Sequence, residues 1–163
     1  MKHRVKQFGR CTGTLPEDGE IGKEELIEGL FPLILKIKEE VEEFEEAVIN
    51  EDIKEVLDAR TDLQYYLDQI TIWLEAVGVN IELAEELVSN NNDEKYSSSY
   101  DFVEAKYLEW GQTDHWFASR LRIDGNISDG VTYFCLKDTA NKVRKFVDHP
   151  KVDLLPCLPK ELL

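Results

Sequence analysis

The sequence predicts an all-α fold, an antiparallel bundle of helices followed by a short irregular or β-containing C-terminal extension. Apolar residues recur at steps of three and four along residues 21–50 and again along 52–77, the period of an α-helix that buries one face. This period fades beyond Gly111. We therefore expect a single domain over residues 1–163, with a helical core at about 21–110 and the extension at about 111–163.

The first long helix is expected from Ile21 to about Asn50, with an interruption near Gly29 and Pro32. Proline has no N–H to donate inside a helix and is well tolerated only in a first turn, so the interruption is placed there. The apolar positions that mark one helix face are Ile34, Ile37, Val41, Phe44 and Val48.

The second long helix is expected to follow a cap region at Asn50–Asp52, to run from about Asp52 to Val77 and to end at Gly78. Shorter helices are predicted over Ile81 to about Ser89 and over Tyr100–Trp110. Val131–Leu136 lies between turn residues and is typical of a strand. The proline-rich tail beyond Asp148 is expected to be irregular, and residues 111–130 resemble nothing that we can place.

The charge balance excludes several classes of partner. The chain carries 19 Lys and Arg against 34 Asp and Glu, a formal charge of −15. An excess of this size disfavours binding to nucleic acid or to anionic membranes. No apolar run approaches the roughly 20 residues of a membrane span, so a cytoplasmic protein is expected. Its three cysteines have no metal-binding spacing and suit reduced thiols.

Helical phase separates the acids that face inward from those that face solvent. On the first helix Glu40 lies one heptad after Leu33 and one heptad before Ala47, and Glu43 follows on the same flank. On the second helix a polar stripe runs between apolar or aromatic positions on both sides: its members are Glu55, Asp58, Asp62 and Gln69. Carboxylates enclosed in this way must be paired or neutralised, so something positive should meet them.

A divalent cation is the expected partner, because Lys36, Lys38 and Lys54 are too few to neutralise two acidic stripes. Oxygen ligands without histidine or cysteine select Mg²⁺, Mn²⁺ or Ca²⁺. A ferritin-like di-iron bundle would need Glu-x-x-His pairs, and His3, His115 and His149 all lie outside the two acidic helices.

These residues carry a family resemblance. The run Glu39-Glu40-Val-Glu-Glu43-Phe, followed by Glu55-Val-Leu-Asp58, resembles the EExxE and ExxD metal motifs of the all-α nucleoside triphosphate pyrophosphohydrolases. This superfamily includes MazG-type proteins, dimeric dUTPases and phosphoribosyl-ATP pyrophosphohydrolase. A second alignment is also possible. Asp62-Leu-Gln-Tyr resembles a D-L-x-Y run of the family, in which the first residue is the aspartate of the ExxD motif; in this alignment Ala59 stands where the family has the ExxD glutamate.

The resemblance extends beyond the two motifs. Asn92-Asp-Glu-Lys95-Tyr96 is similar to the N-x-x-K-F/Y segment that follows the third helix of MazG-like proteins, commonly SNMSKF, although both serines and the methionine are replaced here. Residues 141–145 and 150–154 resemble the GKVLK and PPDL tail of bacteriophage and bacterial members. Because the tail resembles the MazG-like group, phosphoribosyl-ATP is the least expected substrate.

The resemblance implies a MazG-like helical bundle, assembled as a homodimer or homotetramer, that cleaves a nucleoside triphosphate to a monophosphate and pyrophosphate. It implies Mg²⁺ as cofactor, with Mn²⁺ able to substitute. By position the metal ligands would be Glu40, Glu43, Glu55, Asp58 and Asp62, and Glu39 would orient or deprotonate the attacking water. Asn92, Lys95, Lys142 and Lys145 would bind the substrate.

Two other readings remain open from the sequence. An acidic interaction protein, such as a nucleic-acid mimic, would spread its carboxylates over an exposed face. A non-catalytic relative could bind a nucleotide as a sensor, since retention of the metal ligands does not prove turnover. Tyr65, Tyr66 and Trp73 lie near the acidic stripe, but aromatic residues at helical spacing usually belong to the core, so we expect them there.

Overall fold

The computed structural model describes residues 2–16 and 21–163, which form two compact units. The first unit comprises the described residues up to Leu83 together with Leu155–Leu163, and the second comprises Ala84–Leu154. The first unit holds α1 (Lys2–Thr12), α2 (Lys23–Ile49), α3 (Ile53–Ala76), the start of α4 (Ile81–Asp93) and two 3-10 turns at Leu155–Cys157 and Lys160–Leu162. The second holds the rest of α4, α5 (Tyr100–Thr113), α6 (His115–Ala118) and strands β1 (Tyr96–Ser97), β2 (Arg122–Ser128), β3 (Val131–Lys137) and β4 (Val143–Arg144).

The chain is mainly helical, with a small antiparallel sheet in the C-terminal extension, which confirms the predicted fold class at this level. Among the described residues, none of the helices combines the length and the apolar character that crossing a membrane requires.

A tight hairpin of α2 and α3 dominates the first unit. Asn50 closes α2 by donating its N–H to the carbonyl of Glu46 at 2.9 Å. Glu51 takes a left-handed conformation with φ 57°, and the carboxylate of Asp52 accepts the N–H groups of Lys54 and Glu55 at 3.1 and 3.2 Å. Asp52 is therefore the N-cap of α3, which confirms the predicted cap region. So short a connection makes the two helices antiparallel neighbours.

The predicted interruption near Gly29 and Pro32 is wrong, because α2 runs unbroken through both residues. An interior proline costs about 3 kcal/mol of helix stability. Leu26 and Leu33, on either side, are both buried, and burying each side chain contributes about 1.5–3 kcal/mol. Packing against the rest of the unit therefore outweighs the local cost of Pro32.

The core of the first unit lies where α1 and α2 pack near the second half of α3. Its buried members are Val5, Leu15, Leu26, Leu33, Ile72 and Trp73. Helix α1 has no counterpart in the sequence analysis, because only Val5 and Gly9 of its eleven residues are buried and the apolar period is too sparse to recognise. The C-terminal segment returns to this unit: the N–H of Asn80 donates to the carbonyl of Cys157 at 2.9 Å, and Cys157 is buried.

The apolar face used to predict α2 is not the face that packs within the chain. Ile34, Val41 and Val48 are 47%, 49% and 52% exposed. The inward-facing residues of α2 are instead spaced by sevens, at Leu26, Leu33 and Ala47, all buried. The helix is confirmed, and it has a second apolar face that a single chain leaves open.

The second unit packs α5 against one face of the sheet. Ser99 is the N-cap of α5, and its hydroxyl accepts the N–H of Phe102 at 3.2 Å. Helix α4 runs past its predicted end at Ser89 to Asp93. The buried core of the second unit consists of Val103, Leu121, Leu136 and Phe146. The predicted strand at 131–136 is confirmed as β3, and residues 111–130 contain the end of α5, α6 and β2.

The sheet is built around β3. Strands β2 and β3 form a hairpin through Asp129 and Gly130, with φ 51° and 78°, the left-handed pair that a two-residue hairpin turn requires. On its other edge β3 pairs with β1, with Tyr96 opposite Cys135, and then with β4, with Val143 opposite Lys137. All of these pairings are antiparallel.

Candidate active site

Glu40 occupies the inward-facing heptad position that the sequence predicts, between buried Leu33 and Ala47. Its side chain is partly buried, and among the described residues its Oε2 atom is inaccessible and has no hydrogen-bond partner. A buried carboxylate oxygen without a partner is costly. Glu40 is therefore an acid whose stabilising partner has still to be identified.

Other carboxylates surround Glu40 and make its position more costly. Burial raises the pKa of Glu40 above the ordinary carboxyl value, and the nearby charges of Glu43, Asp62, Glu39 and Asp58 raise it further. Asp58 and Asp62 lie on α3, whereas the other two lie on α2. Both helices thus place negative charge near one buried oxygen, which disfavours the charged form of Glu40. A bound cation would favour that charged form instead.

A cavity of about 250 Å³ opens between the end of α2 and the start of α3. Its lining holds five carboxylates, together with the small buried residues Ala47 and Ala59: the acids are Glu43, Glu46, Asp52, Glu55 and Asp58. Three of these are predicted metal ligands. Glu46 is not among the predicted ligands and Asp52 was predicted only as part of the cap, so both are additional acids beside the cavity.

The expectation that the whole polar stripe of α3 is enclosed is wrong for its carboxylates. Gln69 is buried, at 4% exposure, but Glu55, Asp58 and Asp62 are exposed. The buried residue beside them is Ala59, whose short side chain leaves the longer acids free to extend into the cavity and solvent. Among the predicted metal ligands, Glu40 is therefore the one whose pKa is raised mainly by burial.

Two lysines sit beside the acids at the surface. Lys36 Nζ pairs with Glu39 at 2.6 Å, which raises the pKa of Lys36, and Lys54 Nζ pairs with Glu55 at 2.6 Å. All four side chains are about half exposed or more, so these pairs contribute little to stability. An incoming cation can displace such a lysine at small cost.

The donor set fits a hard divalent cation, because every candidate ligand is a carboxylate oxygen and one of them is buried and unpartnered. In the part of the chain that the structure describes, no group of three or more acidic, histidine or cysteine side chains stands close enough to ligate an ion as it is. Mutual repulsion of uncompensated carboxylates favours such an open arrangement.

The aromatic residues near the stripe belong to the core, as predicted. Trp73 is buried, and Tyr65 and Tyr66 pack against the core of the first unit. The pKa of Tyr66 is raised by burial and then by the charge of Glu40, which places its hydroxyl near the acids.

Asn92 and Lys95, the predicted substrate-binding pair, lie together in the second unit. Lys95 Nζ donates to Asn92 Oδ1, and both residues line a pocket of about 590 Å³. Lys142 and Lys145 are not among the residues that line it. The N–H of Lys142 donates to Asp138 Oδ1 at 2.9 Å, and Lys145 Nζ donates to the carbonyl of Pro150 at 3.3 Å.

The comparison with known protein families gives a match over helices α2 to α4. Residues 23–93 match the family model described as "Phosphoribosyl-ATP pyrophosphohydrolase" (PRA-PH), and this match supports the resemblance to the all-α pyrophosphohydrolase superfamily that the acidic motifs indicated. The match starts at the first residue of α2 and ends at the last residue of α4. No curated protein and no solved structure matches the chain.

Proposed function

We propose that the protein is a Mg²⁺-dependent nucleoside triphosphate pyrophosphohydrolase, which cleaves between the α and β phosphates to release a monophosphate and pyrophosphate. The observation that carries this proposal is the unpartnered buried oxygen of Glu40 among carboxylates from both α2 and α3. The family match supports a pyrophosphohydrolase. The choice of triphosphate over phosphoribosyl-ATP rests on the MazG-like tail.

In this proposal Glu40, Glu43, Glu55, Asp58 and Asp62 hold the divalent ions. Mg²⁺ or Mn²⁺, when bound there, would supply positive charge to the phosphate oxygens and would make the attacking water more acidic. The residues of the chain would fix the geometry: Glu40, which is partly buried between Leu33 and Ala47, positions the site, and the exposed acids adjust around it.

Glu39 orients the attacking water and takes its proton. It lies next to Glu40 on the solvent side of α2, and its carboxylate pairs with Lys36 at 2.6 Å. Lys95, Lys142 and Lys145 supply positive charge to phosphate oxygens, and Asn92 a hydrogen bond. Because phosphoryl transfer depends mostly on position and charge, these groups suffice without a covalent intermediate.

The functional unit is a homodimer or homotetramer. Long helices of a single chain leave several large apolar side chains in solvent: Phe31, Ile34, Leu35, Val41, Val48, Ile49, Ile53 and Leu57 are each 47% to 76% exposed. A contiguous apolar surface of this kind marks a protein interface. Association would also enclose the exposed carboxylates of α3.

The decisive test is a pyrophosphate-release assay with Mg²⁺ or Mn²⁺ over the common ribo- and deoxyribonucleoside triphosphates and phosphoribosyl-ATP. We expect release from at least one triphosphate, abolished by EDTA and reduced about a hundredfold or more by Glu40→Gln or Asp58→Asn. Glu42→Gln, an exposed acid on the opposite side of α2, is the matched control and should keep full activity.

The outcomes separate the readings. Release from phosphoribosyl-ATP alone would overturn the substrate class and keep the enzyme. Metal-dependent nucleotide binding without release from any substrate would indicate the sensor, and release that survives both Glu40→Gln and Asp58→Asn would contradict the assigned site.

A further inference from the structure

The sheet of the second unit has two chemically different faces. Side chains alternate along a strand, so Phe134 and Leu136 of β3 share one face and Tyr133, Cys135 and Lys137 share the other. The first face builds the core, where Leu136 is fully buried. The second face is polar and covers no part of this core.

The polar face forms a pocket with the end of α4. The pocket has a volume of about 590 Å³, within the range of about 300–1,000 Å³ that small-molecule sites occupy. Its polar and aromatic lining comes from three segments of the second unit: Asn92, Lys95 and Tyr96; Asn126 and Ser128; Tyr133 and Lys137. The pocket therefore depends on the pairing of β1 and β2 with β3.

Two lysines line the pocket of this strongly acidic protein. Lys95 and Lys137 line it, and no carboxylate is among its lining residues, although the chain carries −15 overall. Lys137 Nζ pairs with Asp124 at 2.5 Å, and this bond lowers the pKa of Asp124. An ammonium group has three donors, so Lys137 retains donors for a ligand. The pocket is suited to an anion.

Two tyrosine rings supply a surface for a planar group. Tyr96 and Tyr133 stand perpendicular, with ring centroids 5.5 Å apart. The hydroxyl of Tyr96 donates to Asp93 at 3.0 Å, which fixes the ring, and the side chain is 43% exposed. In an edge-to-face pair one ring keeps both of its faces clear of its partner, so it can stack on a flat ligand.

We propose that this pocket binds a nucleotide, with the phosphate on Lys95 and Lys137 and the base against Tyr96 and Tyr133. Asn126 and Ser128 face the same pocket and supply hydrogen bonds to base or sugar. The pocket itself indicates a ligand with an anionic group and a planar ring, and its identification as a nucleotide rests on the proposed function. All of these residues lie beyond residue 93, where the family match ends, so the family model does not assign them.

Binding is measured on the full chain in EDTA by isothermal titration calorimetry. The ligands are the ribo- and deoxyribonucleoside monophosphates, the nucleosides and inorganic phosphate. At least one monophosphate should bind more tightly than both its nucleoside and phosphate, because ring and anion are both recognised. Lys137→Gln and Tyr133→Leu should each weaken this binding about tenfold. Lys151→Gln removes an exposed lysine outside the pocket and should change nothing.

Conservative variants distinguish the loss of a ligand contact from the loss of folded structure. Lys137→Arg keeps the charge and Tyr133→Phe keeps the ring, so both should retain most of the affinity, whereas a purely structural loss would appear as a changed circular dichroism spectrum. Binding that survives both Lys137→Gln and Tyr133→Leu, or phosphate binding as tight as that of every monophosphate, would overturn the proposal.

Pyrophosphate release is measured in the same variants. Monophosphate binding in EDTA without release from any triphosphate would defeat the proposed function and leave the pocket in place. Release without any monophosphate binding in EDTA would overturn the pocket and leave the proposed function standing.

Discussion

Glu40 connects function and stability in one side chain. Folding raises the pKa of this acid through burial and the neighbouring carboxylates, so the folded protein binds the proton more tightly than the unfolded chain. The free energy of unfolding of the metal-free protein therefore falls as pH rises from the ordinary carboxyl pKa through the raised value. Proton and metal compete for the same oxygen, and metal affinity should fall as pH drops through this interval.

Glu40→Gln should stabilise the metal-free protein at neutral pH, because it removes the buried charge and keeps the shape. It should also remove much of the extra stability that Mg²⁺ gives to the unmodified protein. Urea unfolding in EDTA and in Mg²⁺, at roughly pH 5 and pH 8, measures both effects. Glu42→Gln should show neither. A loss of stability for Glu40→Gln in EDTA would contradict this account of the site.

At the scale of elements, Gly29 and Trp73 show why α2 packs so closely on α3. A methyl group built on Gly29 would lie 2.3 Å from the indole ring of Trp73, far inside contact distance. The indole is buried and part of the core, so it has little room to shift. Glycine is therefore needed here for the close approach of a side chain, at a position where the helix itself would favour alanine.

Gly29→Ala should destabilise the protein by about 1–3 kcal/mol through overpacking. Gly111→Ala is the matched control, because Gly111 also lies inside a helix but its added methyl group would meet nothing within 4 Å. That control should be neutral or stabilise by up to about 1 kcal/mol. Thermal unfolding of both variants measures the difference, and equal shifts would show that the Trp73 contact does not govern the effect.

Most helices could be predicted from the sequence, because long elements repeat their apolar period many times. The heptad of Leu33, Glu40 and Ala47 likewise placed Glu40 at an inward-facing position. The pocket of the second unit could not be predicted. Its residues come from the end of α4 and from strands β1 to β4, and only strand pairing brings Asn126 opposite Tyr133. Strand β2 itself was missed because Asp, Gly and Asn separate its two isoleucines and weaken the strand signal, whereas its pairing with β3 holds it extended.

At the scale of the whole molecule, the second apolar face of α2 should govern association. Val41→Asp with Val48→Asp places charge on two residues that are about half exposed in one chain. We expect these substitutions to reduce the mass measured by sedimentation velocity to that of the 18.9 kDa chain, because charges at the centre of an apolar interface remain unpaired. Ile127→Asp alters an exposed isoleucine of the sheet hairpin and should leave the mass unchanged. An unmodified protein that sediments as a single chain would contradict the proposed assembly.

The return of the C-terminal segment to the first unit bears on how the protein is made. Lys23 Nζ donates to the carbonyl of Leu162 at 3.3 Å, and Cys157 contributes a buried side chain beside Asn80. A ribosome must therefore synthesise all of Ala84–Leu154 before these contacts can form. In the chain, the second unit therefore lies between the two parts of the first. During translation, helices α1 to α3 are synthesised first and acquire their last packing partners only after the second unit has been synthesised.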